Sequence, residues 1–566
     1  MAFRVSPGVT IREIDNTGIV LGTSTVPGGF VGNFRWGPVH EITVISNENE
    51  LVDQFAAPNS ANAVDFHVAA YFLKYGSSLN LVREVTGVAF NANAGAHATT
   101  LVKNLDNYNS QTFTFANQGL WIAKYPGLLG NSLSVSLFAY TDSNLATDFA
   151  AWTYSSNFDA VVGTSDYVSE RSGSNDEIHV IVIDEDGLFT GTPGTILEKF
   201  PFLSQASDAL NADGSSNYYK TVINNESKYI WFGGHDSTNL PQSGTAVTSG
   251  KDYATIDADG VITHSLSAGV DSATLTSTEF ATGWDLFEDP DTVDAFLLIG
   301  PSLPSGSEAT IANDIISVAA GRKDAIAFIS PASDDDTAAE IKSIADTFTA
   351  SSYAVVDSGR LKVYDKYNDA YVNIPACSSV AGLCAATELD FDAWWSPAGF
   401  TRGQLFGVTK LYYNPNATDR DTLYKAGVNP IVTFPGRGTI LYGDKTHLNR
   451  PSAFDRINVR RLFTVLEKSI AVFAQNMLFE FNDEFTRARF VASVEPFLRD
   501  IQGRRGITNF RVVCDTTNNT SQVIDSNQFV GDIYIAPARS INFITLNFVA
   551  TRTGVSFEET VGSGSF

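Results

Sequence analysis

Residues 1–15 have the alternating pattern of a β-strand, but the nearby sequence offers no partner strand. The Pro7-Gly8 pair introduces a turn, and residues 9–12 then alternate as in a half-buried strand. No hairpin turn follows, because residues 15–18 do not fold the segment back on itself. Such a strand must pair with a distant part of this chain or with another chain. The residues assigned to this N-terminal arm are Pro7, Gly8, Val9, Thr10, Ile11, Arg12 and Ile14.

The opposite end of the sequence carries a second strand-forming segment. Residues 541–550 form a long β-rich run, and an apolar stretch at 555–557 follows Thr553-Gly554. Two ends that lack local partners favour a polymer, because unpaired strands are templates for pairing with another chain. The residues assigned to this C-terminal arm are Phe543, Thr545, Phe548, Val555 and Phe557.

Two separated stretches, 23–88 and 284–389, have the alternating strand and helix pattern of an α/β domain. We expect them to form one discontinuous domain. The predicted strands are 29–34, 42–45, 79–85, 295–299, 325–330, 353–356 and 361–364. The predicted helices are 47–55, 61–75, 311–320, which Gly321 ends, and 337–349, which begins beside the acidic run 334–336.

Residues 89–283 differ from both flanks, because Gly, Ser, Asn, Asp and Thr abound between short apolar runs. The runs at 133–140, 178–183 and 228–232 read as strands, and 184–187 and 257–260 read as hairpin turns. This pattern predicts an inserted β-rich region of one or two lobes.

The remaining part, 390–540, is dominated by an amphipathic helix predicted over 453–481. A second helix is predicted over 483–501, with Pro496 bending it, and strands are predicted at 509–514 and 528–536. The chain is thus predicted to be a mixed α/β (α+β) multidomain protein. The apolar face of the long helix consists of Val459, Leu462, Phe463, Leu466, Ile470, Phe473, Met477 and Phe481.

The net charge of −26 is unevenly distributed. Residues 390–566 hold 19 basic and 17 acidic side chains, whereas residues 1–389 hold 18 and 46. So acidic a surface repels nucleic acid and anionic membranes. The sequence has no apolar export signal, no run long enough to span a bilayer and only three cysteines, which fits assembly in a reducing cytoplasm.

Candidate catalytic and binding motifs are weak. Gly438-Thr-Ile-Leu-Tyr-Gly443-Asp-Lys445-Thr446 resembles a phosphate-binding loop, but an extra Asp precedes its Lys and Pro451 opposes the required helix. The Asp-x-Asp-Gly at 257–260 lacks the other ligands of a calcium loop. The histidines are scattered, Cys377 and Cys384 read as core residues, and Arg460-Arg461 as solvated or interface ion pairs. We therefore predict no enzymatic activity, metal site or cofactor.

Four motif-bearing segments keep a fixed order along the chain. Together they resemble the tail sheath proteins of contractile-tailed bacteriophages of the myovirus type, which are related to the sheaths of contractile injection systems. The segments are Ser6-Pro-Gly-Val-Thr-Ile-Arg-Glu-Ile-Asp15; Val26-Pro-Gly-Gly-Phe-Val-Gly with Leu81-Val-Arg83; Trp395-Ser-Pro-Ala-Gly399; and Pro435-Gly-Arg-Gly438 with Tyr442-Gly443.

The resemblance implies a structural subunit that polymerises around a tail tube and contracts to drive the tube through the host envelope. It implies a homo-oligomer with tube, baseplate and tail terminator proteins as partners, no nucleic acid and no membrane insertion. The location would be the virion tail, after assembly in the host bacterial cytoplasm.

The resemblance also gives each part of the chain a role. In related sheaths, arms from neighbouring subunits add strands to a sheet of the C-terminal domain. Gly18 and Gly554 then become hinges of the two arms. The implied divisions are the arm 1–22, the discontinuous domain 23–88 plus 284–389, the inserted outer region 89–283, the sheath core 390–540, and the final strand and arm 541–566.

Two rival functions remain open at this point. One is a sheath of a phage-like bacteriocin or a secretion system, which gene neighbourhood would distinguish. The other is a virion adhesin or glycan-binding protein built on the β-rich insertion. That function predicts saturable binding of host polysaccharide by an isolated 89–283 fragment.

Overall fold

The computed structural model describes residues 24–76, 78–95, 99–141, 144–235, 251–253, 260–331 and 337–542. The chain divides into two compact units between Glu480 and Phe481.

The strands are β1 (Gly28–Gly32), β2 (Ile42–Ile45), β3 (Leu79–Arg83), β4 (Trp121–Ala123), β5 (Leu133–Ala139), β6 (Glu177–Asp184), β7 (Thr195–Ser204), β8 (Ile230–Phe232), β9 (Val261–Ser265), β10 (Leu297–Ile299), β11 (Ile326–Ile329), β12 (Ala354–Asp357), β13 (Arg360–Asp365), β14 (Ala370–Pro375), β15 (Lys410–Leu411), β16 (Val428–Asn429), β17 (Ile431–Phe434), β18 (Gly438–Leu441), β19 (Ile507–Val513) and β20 (Asp532–Pro537).

The α-helices are α1 (Glu48–Phe55), α2 (Ala63–Leu73), α3 (Leu105–Ser110), α4 (Phe115–Gln118), α5 (Leu145–Ala151), α6 (Asp166–Ser169), α7 (Tyr219–Glu226), α8 (Ser277–Asp285), α9 (Glu308–Arg322), α10 (Ala338–Ala345), α11 (Cys377–Asp390), α12 (Ala417–Lys425), α13 (Ile457–Gln475), α14 (Glu484–Gly503) and α15 (Ser521–Asp525). Short 3-10 turns lie at Leu128–Ser132 and Ser155–Asn157.

A seven-stranded sheet with the order β16-β12-β11-β10-β1-β3-β2 forms the centre of the first unit. Neighbouring strands are parallel except at the β2 edge, where β2 runs antiparallel to β3. The sheet combines strands from 23–88 with strands from 284–389, and β16 adds a short edge strand from further along the chain.

Helices cover both faces of this sheet, as a parallel sheet requires. Leu297 and Ile299 point to the face covered by α2 and α11, whereas Leu298 points to the opposite face. The opposite face is packed by α8, α9, α10 and α12. Successive side chains of each strand therefore pack into opposite apolar layers. Because both layers are buried, every position of such a strand is apolar, which explains the continuous apolar runs in the sequence.

A glycine pair at the start of β1 allows both layers to approach the sheet closely. A Cβ atom on Gly28 would lie 2.7 Å from Cζ of Phe72, on α2. A Cβ atom on Gly29 would lie 2.9 Å from Cε1 of Phe287, beyond the other face. Because real Cβ contacts are longer, only glycine fits at these positions without displacing an aromatic ring.

The 89–283 stretch contains a four-stranded antiparallel sheet in the order β7-β6-β5-β9 and a separate β4–β8 pair. It also holds short helices that the sequence pattern did not predict. The turn predicted at 184–187 begins a longer connection between β6 and β7. The buried carboxylate of Asp184 organises this connection by accepting hydrogen bonds from Ser132, Phe189 and Thr190.

Several predicted helix ends were wrong, and α10, predicted to reach residue 349, ends at Ala345. Helix α9 runs through Gly321 to Arg322, whose side chain donates hydrogen bonds to the Phe287 carbonyl and to Asp324. The left-handed residue that ends α9 is Lys323, with φ of +66°. Helix α13 ends at Gln475, so Met477 and Phe481 lie beyond it. The backbone soon afterwards takes a left-handed conformation at Phe479, with φ of +70°.

The second unit pairs β19 with β20 in an antiparallel sheet that packs on α14. The buried side of α14 presents Phe490, Val494, Leu498 and Ile501. Pro496 lies inside α14, which continues for seven residues beyond it to Gly503. This small α/β unit thus has its own apolar layer.

Candidate assembly site

The residue from which the N-terminal arm would extend is fixed firmly to the first unit. Thr25 is buried, and its backbone N–H and hydroxyl both donate hydrogen bonds to the Glu388 carboxylate, at 2.6 and 2.5 Å. Glu388 lies near the end of α11, in the apolar layer of the seven-stranded sheet. The two residues are 363 positions apart, so only the fold brings them together.

The same carboxylate holds helix α13. Arg461 lies in the first turns of α13 and pairs with Glu388 at 2.5 Å. Its guanidinium also donates to the Cys384 carbonyl, on α11. The side chains of Arg461 and Glu388 are only 1% and 12% exposed. A buried charge that loses its partner lowers the free energy of unfolding by several kcal/mol. Glu388 therefore holds Thr25, α11 and α13 together.

Two further cations fasten α13 along its length. Lys468 pairs with Asp324 at 3.2 Å and donates to the Pro290 carbonyl. Arg460 is buried, pairs with Glu467 at 2.9 Å, and lies over the ring of Tyr353. Both members of the Arg460-Arg461 doublet are thus buried and ion-paired, and the part of the prediction that made them solvated was wrong.

Sequence reasoning did not identify Glu388 or Thr25 as functional residues. The helical period gave no signal, because it places Arg461 nearly opposite the predicted apolar face that carries Val459, Leu462 and Leu466. The structure buries every residue from Ile457 to Leu462, and an amphipathic pattern does not predict burial on all sides of a helix.

The second unit offers strand edges. Within the part of the chain that the structure describes, β19 and β20 pair only with each other. Their register sets Phe510 opposite Ile535 and Arg511 opposite Tyr534. Tyr534 is 61% exposed. Two-stranded sheets are marginally stable alone, and an open edge can accept a further strand.

The predicted arm residues lie outside the described part of the chain. This applies to the N-terminal set from Pro7 to Ile14, to the C-terminal set from Phe543 to Phe557, and to the hinges Gly18 and Gly554. Their pairing therefore stays a prediction.

The segment that resembles a phosphate-binding loop has a different structure. It begins with strand β18, and no helix follows before α13. The ammonium of Lys445 donates to the Tyr424 carbonyl at 2.7 Å, and its backbone N–H donates to Asn429. Asp444 accepts a hydrogen bond from Ser396 and pairs with Arg456. The groups that would bind phosphate are thus engaged within the protein.

The remaining candidate chemistry is structural. Cys377 and Cys384 are free and fully buried in α11, and burial raises the pKa of their thiols to about 12 and about 11. No group of His, Cys, Asp and Glu suited to a metal ion occurs among the described residues. The Asp257 and Asp259 carboxylates lie outside those residues. None of the helices within the described ranges is long and apolar enough to cross a bilayer.

Comparison with solved structures identifies the fold. The chain superposes on a sheath tail protein from Listeria innocua with a TM-score of 0.54 at 12% identity, covering 92% of this chain and 96% of that one. A sheath tail protein from Desulfitobacterium hafniense gives 0.51 at 12% identity, with 94% and 100% covered. The contracted helical sheath of the anti-feeding prophage gives 0.52 at 14% identity, with 97% and 100% covered.

Sequence comparison gives closer relatives. Residues 293–447 match the phage tail sheath protein central domain, and residues 449–551 match the phage tail sheath C-terminal domain. The chain is 32% identical to the tail sheath protein of Vibrio phage KVP40, over 99% of this chain and 100% of that protein. It is 30% identical to the tail sheath protein of Enterobacteria phage T4, with 99% of each covered. The chain therefore belongs to the phage tail sheath protein family.

Proposed function

We propose that this chain is the structural subunit of a contractile tail sheath. Many copies polymerise around a tail tube, and shortening of the polymer drives the tube through the host envelope. The observation that carries this proposal is the similarity to phage tail sheath proteins along essentially the whole chain. The subunit acts by mechanical movement, without catalysis or a cofactor, in a virion tail assembled in the host bacterial cytoplasm.

The proposed partners are further copies of this chain, the tail tube, the baseplate and the tail terminator. Nucleic acid is not among them, since 46 acidic side chains against 18 basic ones in residues 1–389 repel a polyanion. The nearly balanced charge of residues 390–566 suits close contact with other protein surfaces.

We propose that neighbouring copies exchange strands. Residues 1–22 and 541–566 extend from one copy, and the edges of β19 and β20 that carry no third strand among the described residues accept them in another. Strand addition suits moving subunits, because main-chain hydrogen bonds hold the pair while alternating side chains fix its register. An extended arm of about 15 residues reaches roughly 50 Å, enough to bridge adjacent bodies.

The contacts of Thr25 support a path for force in this proposal. Tension on the N-terminal arm enters the body at Thr25 and reaches Glu388 through two hydrogen bonds. From Glu388 it passes to α11 through the covalent chain and to α13 through Arg461. Tension on the arm therefore acts on α11 and α13 together and not on a loop.

Deletion of residues 1–15 tests the proposal. The truncated chain should fold with an unchanged circular dichroism spectrum but should not form ordered tubes in electron micrographs. A matched control replaces the same residues with a Gly/Ser segment of equal length, which keeps the reach but removes the strand-forming pattern. Ordered tubes from either variant would contradict strand exchange, and failure of the intact chain to form tubes would contradict the sheath function.

A further inference from the structure

Three aromatic rings form a partly exposed group on the first unit. Phe434 lies 5.4 Å from Phe400 and 5.4 Å from Tyr442, and Phe400 lies 6.1 Å from Tyr442, measured between ring centroids. Phe400 and Tyr442 are each 46% exposed. These rings come from the end of β17, from the residue after β18 and from the loop that follows α11.

Two arginines cover this aromatic group. The guanidinium carbon of Arg420, on α12, lies 5.7 Å from the rings of both Phe434 and Tyr442. The guanidinium carbon of Arg437 lies 4.6 Å from the ring of Phe400. We name these five residues the Arg-aromatic patch. Among the described residues, neither Arg420 nor Arg437 makes an ion pair with a carboxylate.

The backbone holds the patch in a fixed geometry. Arg437 lies at the tip of the β17–β18 hairpin, between Gly436 and Gly438, which have φ of +73° and +76°. Glycine is favoured at both positions because side chains clash there. The N–H of Gly399 donates to the Leu441 carbonyl at 2.9 Å, which ties the loop carrying Phe400 to β18. The backbone that carries the patch therefore needs little further ordering when a partner binds.

We propose that the Arg-aromatic patch is an interface that binds the acidic surface of a second copy of this chain. Exposed aromatic residues combined with arginine are typical of the residues that dominate binding energy at protein interfaces. A second copy supplies the complementary charge, since its residues 1–389 hold 28 more acidic than basic side chains. This inference rests on the proposed function, because it requires that copies of the chain assemble.

The patch also has a physical task in such an assembly. Copies with a net charge of −26 repel each other when they are brought together. Arginines that lie on aromatic rings are already oriented and partly desolvated before a partner binds. A carboxylate of a neighbouring copy can then form an ion pair with them at little cost in side-chain entropy. The patch thus offsets part of the repulsion and selects an acidic partner surface.

The first test compares polymerisation of purified full-length protein by sedimentation and electron microscopy. The Arg420→Gln/Arg437→Gln double variant should raise the critical concentration about tenfold or more. The control is Arg171→Gln, which removes an arginine that lies 3.5 Å from the Tyr167 ring but already has Glu170 as an ionic partner. This control should polymerise like the wild type. Equal polymerisation of the double variant would overturn the inference and leave the sheath function intact.

The second test identifies the surface that the patch contacts. Arg437→Lys keeps the charge at the hairpin tip and gives carbodiimide an amine to couple to a nearby carboxylate. Polymers grown from a mixture of isotopically light and heavy chains distinguish coupling between copies from coupling within one. Mixed-isotope peptides joining position 437 to a carboxylate in residues 1–389 support the inference. Coupling only within a copy, only to residues 390–566, or to none overturns it.

Discussion

Replacement of Glu388 by glutamine is the sharpest test of the link between the N-terminal arm and helix α13. The side chain keeps its shape but loses its charge and one acceptor. In the structure, one carboxylate oxygen accepts from the Thr25 N–H, and the other accepts from the Thr25 hydroxyl and from Arg461. In either orientation of the glutamine, its NH2 group faces a donor. Arg461 then stays buried without a carboxylate.

The expected loss of stability in Glu388→Gln follows from the known cost of breaking buried ion pairs. Removal of one partner of a buried ion pair costs about 3–5 kcal/mol, because the other charge stays away from water. Glu388 is 12% exposed, which gives water some access and favours the lower end of the range. We therefore expect a loss of about 3 kcal/mol, which corresponds to a roughly 150-fold change in an opening equilibrium.

Hydrogen exchange read by mass spectrometry measures this change locally. Amides of α11 and of the first turns of α13 should exchange roughly 150-fold faster in Glu388→Gln, if exchange there proceeds through opening of this contact. The control is Asp346→Asn, which breaks the exposed pair with Lys342 on α10 and should change stability by less than about 0.5 kcal/mol. A Glu388→Gln effect as small as that of the control would refute the link.

Three further results are expected. Gly28→Ala should lower the free energy of unfolding by about 1–3 kcal/mol in urea, because its Cβ atom would lie 2.7 Å from Phe72; an unchanged midpoint would contradict this. Burial raises the pKa of Asp357 to about 7, although Ser330 donates to it, so its contribution to stability is full below pH 4 and is lost as pH rises towards 7. Asp357→Asn should flatten that part of the pH profile of thermal unfolding, and an identical slope in the variant would refute the assignment. Cys377 should resist iodoacetamide at pH 7.5 until the protein is unfolded, since its thiol pKa is about 12; rapid labelling of the native chain would be incompatible with its burial.

Local pattern was sufficient for much of the first unit. The start predicted for the helix at Thr337 is confirmed, because Thr337 and Glu340 form a capping box that depends only on residues three positions apart. The runs containing Leu297 and Ile326 are strands, because continuous apolar runs between turns fit a sheet that is covered on both faces. Such signals act within a few residues, so the sequence by itself determined these elements.

Tertiary structure decided the features that depend on partners far away in the chain. Helix α9 continues past Gly321 to Arg322, whose guanidinium donates to the carbonyls of Phe287 and Val293, and no helix-end rule contains those contacts. Arg461 and Glu388 stand 73 positions apart, and Thr25 joins them from another 363 positions away. The helical period placed Arg461 on the polar side of α13. The partner of Arg461 depends on which surfaces the folded chain brings together, because desolvation makes a buried charge stable only beside the opposite charge that the fold supplies.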